Sequence, residues 1–167
     1  LTDRLNLEAV EFVERNKDKP FFLYLSHYAP HTILNGRPDL VDKYRKKHTP
    51  GPSQRDRCYL CQDAGLKGDS GNHWATHHNP HLAAMLESID DGIGLLAKKL
   101  DELGLAENTI FIFSSDNGGE LNVTSNAPLR GGKSQLYEGG IRVPLIVRWP
   151  KGKVPAGKAC SQPVVNH

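Results

Sequence analysis

Phe111–Gly119 reads FIFSSDNGG, an apolar run that stops at a carboxylate, a carboxamide and two glycines. The run from Thr109 to Phe113 is apolar without alternation and too short for a helix, which predicts a strand buried on both faces. Phe21–Ser26 (FFLYLS) and Pro144–Trp149 (PLIVRW) read the same way. Elsewhere the spacing is helical. Leu5, Ala9, Phe12 and Val13 predict an amphipathic helix over residues 2–16, and a shorter one is expected over 38–47. The longest helix is predicted from Asn79, a cap, and Pro80, at the first helical position. Leu82, Met85, Leu86, Ile89, Ile93, Leu96, Leu100 and Leu103 carry its apolar stripe, and Gly104 suits its end. Helices alternating with buried-type strands predict an α/β fold, a mainly parallel sheet with helices on both faces.

In such sheets ligands gather beyond the carboxyl ends of the strands. SHYAPH and SSDNGG each follow a predicted strand, so His31, Asp116 and Asn117 are candidates for one site. Asp116 and Asn117 offer hard oxygen donors that suit Ca²⁺ or Mg²⁺, and Gly118 and Gly119 allow close backbone approach. The plainer reading is an Asx turn closing a strand. Leu129–Pro144 (LRGGKSQLYEGGIRVP) sets Lys133 on a glycine-rich loop, where an ammonium can meet an anion as a compact charge. A solvated loop explains the same residues, and the spacing is not that of a phosphate-binding P-loop. His31 could exchange a proton or donate to an anion, or be a polar loop residue.

A formal net charge of +2 argues against nucleic acid or an anionic membrane as partner. No stretch approaches the roughly 20 apolar residues that span a bilayer. Three cysteines, Cys58, Cys61 and Cys160, make no disulfide framework. Residues 48–78, rich in Gly, Pro, His and charge, read as an insertion or long loop. Within them Cys58, Cys61, His73 and His77 have nearly the spacing of a zinc site, without the apolar core of a small finger.

Taken in order, PFFLYLSHYAPHT, NPHLAAMLESIDDGIGLLAKKLDELGLAENTIFIFSSDNGG and LRGGKSQLYEGGIRVPLIVRWP resemble type I, formylglycine-dependent sulfatases of the alkaline phosphatase superfamily. The resemblance implies an alkaline-phosphatase-like fold and hydrolysis of sulfate esters, of a sulfated small molecule or a sulfated glycan. It implies Asp116 and Asn117 as ligands of one Ca²⁺, Lys133 and His31 as contacts to the sulfate oxygens, and His31 as donor to the leaving group. Glu138, Gly139, Gly140, Arg142 and Pro144 match an architectural motif. Asn117 separates this pattern from dinuclear zinc relatives that carry His there. Family resemblance further implies export to periplasm, cell exterior or lysosome.

The family's nucleophile is a formylglycine made from Cys or Ser in a C/S-x-P/A-x-R signature, and none of the three cysteines here lies in one. The Asp pair and the upstream Lys and His of the family's site have no counterpart either. The expectation is therefore a central to C-terminal part of a sulfatase catalytic domain, lacking the nucleophile segment and the C-terminal subdomain. A phosphodiesterase or phosphonate monoester hydrolase on the same scaffold, or a non-catalytic sulfatase-like binding protein, are the alternatives.

Overall fold

The computed structural model describes residues 1–47 and 79–161; the expected insertion at 48–78 and the candidate zinc ligands fall outside them. Helix α1 (Thr2–Asn16), α2 (Pro38–Lys46) and α3 (Pro80–Glu102) are followed by strand β1 (Phe111–Ser114), a single turn α4 (Glu138–Ile141) and strand β2 (Leu145–Arg148). Both ends of α3 form as its sequence predicts. The Asn79 side chain accepts from Leu82 N at 3.0 Å, with Pro80 at the first position. At the other end Gly104 takes φ +69°, Leu105 N donates to Leu100 O at 2.8 Å and Gly104 N to Asp101 O at 3.0 Å. This is the glycine-terminated geometry that satisfies the last carbonyls.

α1 and β1 pack on α3. Val13, Leu96, Leu100 and Ala106 form the buried centre, with Phe12, Phe21, Leu23 and Phe111 against it. Phe12 and Phe21 meet edge to face, 5.9 Å between centroids, a geometry aromatic quadrupoles favour. α2 rests on α3 through Leu40, Val41 and Ala84. Of the predicted stripe, Met85, Ile89, Leu96 and Leu100 are buried, whereas Leu86 is exposed.

The sheet differs from expectation in three ways. Residues 21–26, expected as a strand, form none and make no ladder hydrogen bond among the described residues. β1 and β2 pair antiparallel, with Phe111 opposite Arg148 and Ser114 opposite Leu145. The chain turns back at the end of β1 and re-enters through α4, so β2 runs against it. Residues 21–26 and β1 also bury one face, not two, and β2 is exposed along its whole length. Phe21 and Leu23 pack inward while Phe22 and Tyr24 are 86% and 80% exposed, and Ile112 faces outward between Phe111 and Phe113. An apolar run without alternation does not say how many layers cover it; here side chains of α1 and α3 pack on Phe21, Leu23 and Phe111 from one side.

A polar contact the sequence did not announce fixes α1 against α3. Asn6 is buried, and its Nδ2 donates to Ser88 O at 2.9 Å. That orients the amide so that Oδ1 accepts from His27 Nε2 at 2.8 Å. Gly92 leaves the room: a Cβ there would lie 2.1 Å from Asn6 Cγ. Burial pushes the His27 imidazole below its ordinary value. The unfolded chain then takes up this proton at a higher pH than the folded one. The group's contribution is complete above the ordinary imidazole pKa and is lost as pH falls through it toward the folded value. The denaturation midpoint is expected to rise as pH increases toward and through the ordinary imidazole pKa, and His27→Gln to flatten that rise. An unchanged slope in the variant would contradict the assignment.

Candidate functional site

The end of β1 is held by a second loop. Gly118 N donates to Gly140 O at 2.9 Å, and Lys133 N donates to Gly119 O at 3.1 Å. Gly139 N in turn donates to Arg130 O at 2.7 Å. The turn that carries Asp116 and Asn117 is thus bonded through its two glycines to the segment that carries Lys133. The glycines are required by contact. A Cβ on Gly118 would lie 1.7 Å from Gly139 O, and one on Gly139 2.1 Å from Gly131 O. Gly139 and Gly140 sit in α4, so the architectural role expected of that motif corresponds to a backbone approach that only glycine permits.

Asp116 is exposed and Asn117 half-buried. Asn117 Nδ2 donates to Gly118 O at 3.0 Å. This assigns the amide orientation and leaves Oδ1 as the atom it can present. Ser115 Oγ braces the turn by donating to Asn117 O at 2.9 Å. A carboxylate and an amide oxygen suit a hard cation, which takes six to eight oxygens for Ca²⁺, better than they suit zinc, whose usual sites are built on Cys and His. They are a partial shell: among the described residues no group of three His, Cys, Asp or Glu gathers that could hold a metal ion.

Lys133 is half-buried, and its ammonium makes no ion pair or hydrogen bond with the described residues. It stands between Gly132 and Ser134, whose φ of 68° is left-handed and costs a residue with a side chain. A cation without a counter-charge among the described residues, on a loop bonded to the turn of Asp116 and Asn117, suits an anion. Beside it Arg130 lies 3.8 Å over the Tyr137 ring and donates Nη2 to its hydroxyl at 2.9 Å.

His31 stands on a different loop. Its Nδ1 lies 2.6 Å from Thr32 O, a carbonyl that can only accept, so Nδ1 carries the proton and Nε2 is the nitrogen left uncommitted on an exposed side chain. The loop is joined to the segment after β1 by packing: Leu34, Met85 and Val123 form one buried cluster, with Ala29 and Leu82 against it. The backbone segments that carry Asp116, Asn117 and Lys133 are therefore joined by hydrogen bonds, and His31's loop is tied to theirs through an apolar contact. No direct bond links His31 to the other three among the described residues.

A family model described as Sulfatase matches residues 1–167. The chain belongs to the sulfatase family. This sulfatase chain is 34% identical to the steryl-sulfatase of Homo sapiens over 99% of its own length and 24% of that protein. It is 35% identical to a sulfatase of Formosa agariphila over 90% of its length and 25% of that protein. It spans about a quarter of the curated relatives it matches. Among solved structures, that of Ps i-CgsB in complex with k-i-k-neocarrahexaose shares 36% identity with a TM-score of 0.75. The match covers 98% of this chain and 31% of that one. This sulfatase chain therefore has the α/β fold of the solved family members, and its antiparallel pair is a part of it.

Two site features of the sulfatase chain escaped the sequence. Asn126 bonds both glycine loops, yet Asn in a Ser-Asn-Ala-Pro stretch reads as an ordinary turn residue. The Arg130–Tyr137 stack spans seven residues of loop, where no periodicity signals contact.

Proposed function

We propose that residues 1–167 supply the strand-end portion of a sulfuric ester hydrolase site. Lys133 and His31 take the sulfate oxygens, and Asp116 and Asn117 give oxygen ligands to one Ca²⁺, with Mg²⁺ as the other hard cation the donors suit. The observation that carries this is the junction of the Asp116–Asn117 turn with the Lys133 loop through Gly119 O, at 3.1 Å, with the Lys133 ammonium unpaired among the described residues. When bound, the cation supplies positive charge next to the ester. Lys133 neutralises charge that grows on the sulfuryl oxygens, which lowers the barrier when it acts more on the transition state than on the ground state. His31, with Nδ1 committed to Thr32 O, presents Nε2, which when protonated can donate to the departing oxygen.

The substrate class is a sulfate ester on a glycan or a small molecule. Support comes from relatives named N-acetylgalactosamine-6-sulfatase and steryl-sulfatase, which share the ester and differ in what bears it. The formylglycine nucleophile is assigned to sequence beyond residues 1–167, because none of Cys58, Cys61 and Cys160 lies in its signature. Residues 1–167 alone are accordingly expected to turn over no aryl sulfate. We place the activity in periplasm, cell exterior or lysosome. No helix among the described residues is long and apolar enough to cross a membrane.

The complete reading frame containing residues 1–167, assayed on 4-nitrophenyl sulfate and 4-nitrophenyl phosphate, is expected to prefer the sulfate. Preference for the phosphate would favour phosphoryl chemistry on the same scaffold. Turnover of neither, with the nucleophile signature absent, would favour a binding protein.

A further inference from the structure

Asn126 uses its whole amide on two backbones. Its Oδ1 accepts from Gly119 N at 2.9 Å, and its Nδ2 donates to Gly119 O at 2.9 Å and to Gly131 O at 3.1 Å. Gly119 closes the turn that carries Asp116 and Asn117; Gly131 opens the loop that carries Lys133. The cradle is tight on both sides: a Cβ on Gly119 would lie 3.0 Å from Asn126 Oδ1, and one on Gly132 2.7 Å from Asn126 Nδ2. Gly119 O also accepts from Lys133 N, so one carbonyl receives both the Asn126 amide and the Lys133 backbone.

We infer that Asn126 is a positioning residue that sets the distance between the Asp116–Asn117 turn and Lys133, and so the fit of the site to a tetrahedral oxyanion. The inference rests on the proposed sulfate site for its chemistry and on the three hydrogen bonds for its geometry. Without the bracket, Gly119 keeps its bond to Lys133 N but loses the cross-tie to Gly131, and the two loops can shift against one another. Asp116, Asn117 and Lys133 would all be present, with their spacing no longer fixed.

A double-mutant cycle in the complete protein separates positioning from mere stability. Asn126→Ala is expected to lower kcat/KM for 4-nitrophenyl sulfate by about 10²-fold, the scale of an ångström misplacement, mainly in kcat. In a Lys133→Ala background the same change is expected to add no more than about 2-fold, because the geometry it protects has lost its cation. Equal losses in both backgrounds, or no loss in the single variant, would overturn the assignment. Should Asn126→Ala fail to fold, Asn126→Asp, of the same shape, carries the same cycle with the same expected and overturning results.

A second arm is independent of turnover. Amide exchange at Gly119 and Lys133 is expected to quicken at least about tenfold in either variant, with the α3 amide of Leu96 unchanged. Unchanged protection at Gly119 and Lys133 would overturn the inference. A wild-type protein without sulfate-ester turnover would instead sink the functional reading and leave this arm to decide on Asn126.

Discussion

Lys133→Ala in the complete protein is expected to lower kcat/KM for a sulfate ester by about 10²- to 10³-fold, the loss that follows when one fixed donor to a developing oxyanion is removed. The ammonium has no counter-charge among the described residues, so its removal breaks no ion pair and leaves no buried partner orphaned there. The melting temperature should therefore stay close to that of the wild type while turnover falls. Lys133→Arg tests geometry at constant charge. A planar guanidinium is longer and directs its donors differently, so it is expected to recover only part of the loss. Steady-state kinetics with a melting curve for each variant checks both. A variant that keeps wild-type turnover would remove Lys133 from the site.

Gly118→Ala is the second large effect, and it acts through backbone. The new methyl would fall 1.7 Å from Gly139 O and 3.0 Å from Gly140 Cα, neither of which can swing aside as a side-chain end can. The Asp-Asn turn must then part from α4, with loss of the Gly118 N to Gly140 O bond. Overpacking of this kind costs about 1–3 kcal/mol, and a misplacement near an ångström costs about 10²-fold in turnover. Gly94→Ala supplies the contrast. Nothing lies within 4 Å of its Cβ, on the exposed side of α3. It is expected to raise stability by about 0.5–1 kcal/mol, since alanine is the better helix former. Denaturant melts of the two variants should move in opposite directions.

The helices were legible because their signals are local. The Asn79 cap, Pro80 and Gly104 each act within a turn of their own position, and α3 begins and ends where they place it. The places of β1 and β2 were legible to within one or two residues, from short apolar runs expected over Thr109–Phe113 and Pro144–Trp149. What the sequence hid is set by contacts between distant segments. The alternate exposure of Phe22 and Tyr24 depends on which layers lie above and below, and an unbroken apolar run looks the same under one layer as under two. The antiparallel direction of β2 depends on how the loop between the strands folds back. Asn6, buried at Gly92, and Asn126, across the two glycine loops, are polar residues whose roles exist only once their partners arrive. The candidate site was legible as residues and not as a shape. Asp116, Asn117, Lys133 and His31 could be named from residue type and resemblance. The joining of the Asp116–Asn117 turn to the Lys133 loop through Gly118, Gly119 and Gly140 is a property of close backbone approach, of which the glycine pairs were the one visible trace.

A crystal structure of the complete protein grown with Ca²⁺ and a slowly hydrolysed sulfate ester bears most directly on whether these four residues form one site. The prediction is a single sulfate group with Lys133 Nζ and His31 Nε2 both at about 3 Å from its ester or sulfuryl oxygens, beside a cation held by Asp116 and Asn117 Oδ1. A sulfate bound elsewhere, with Lys133 and His31 directed away from it and no cation at the end of β1, would contradict it.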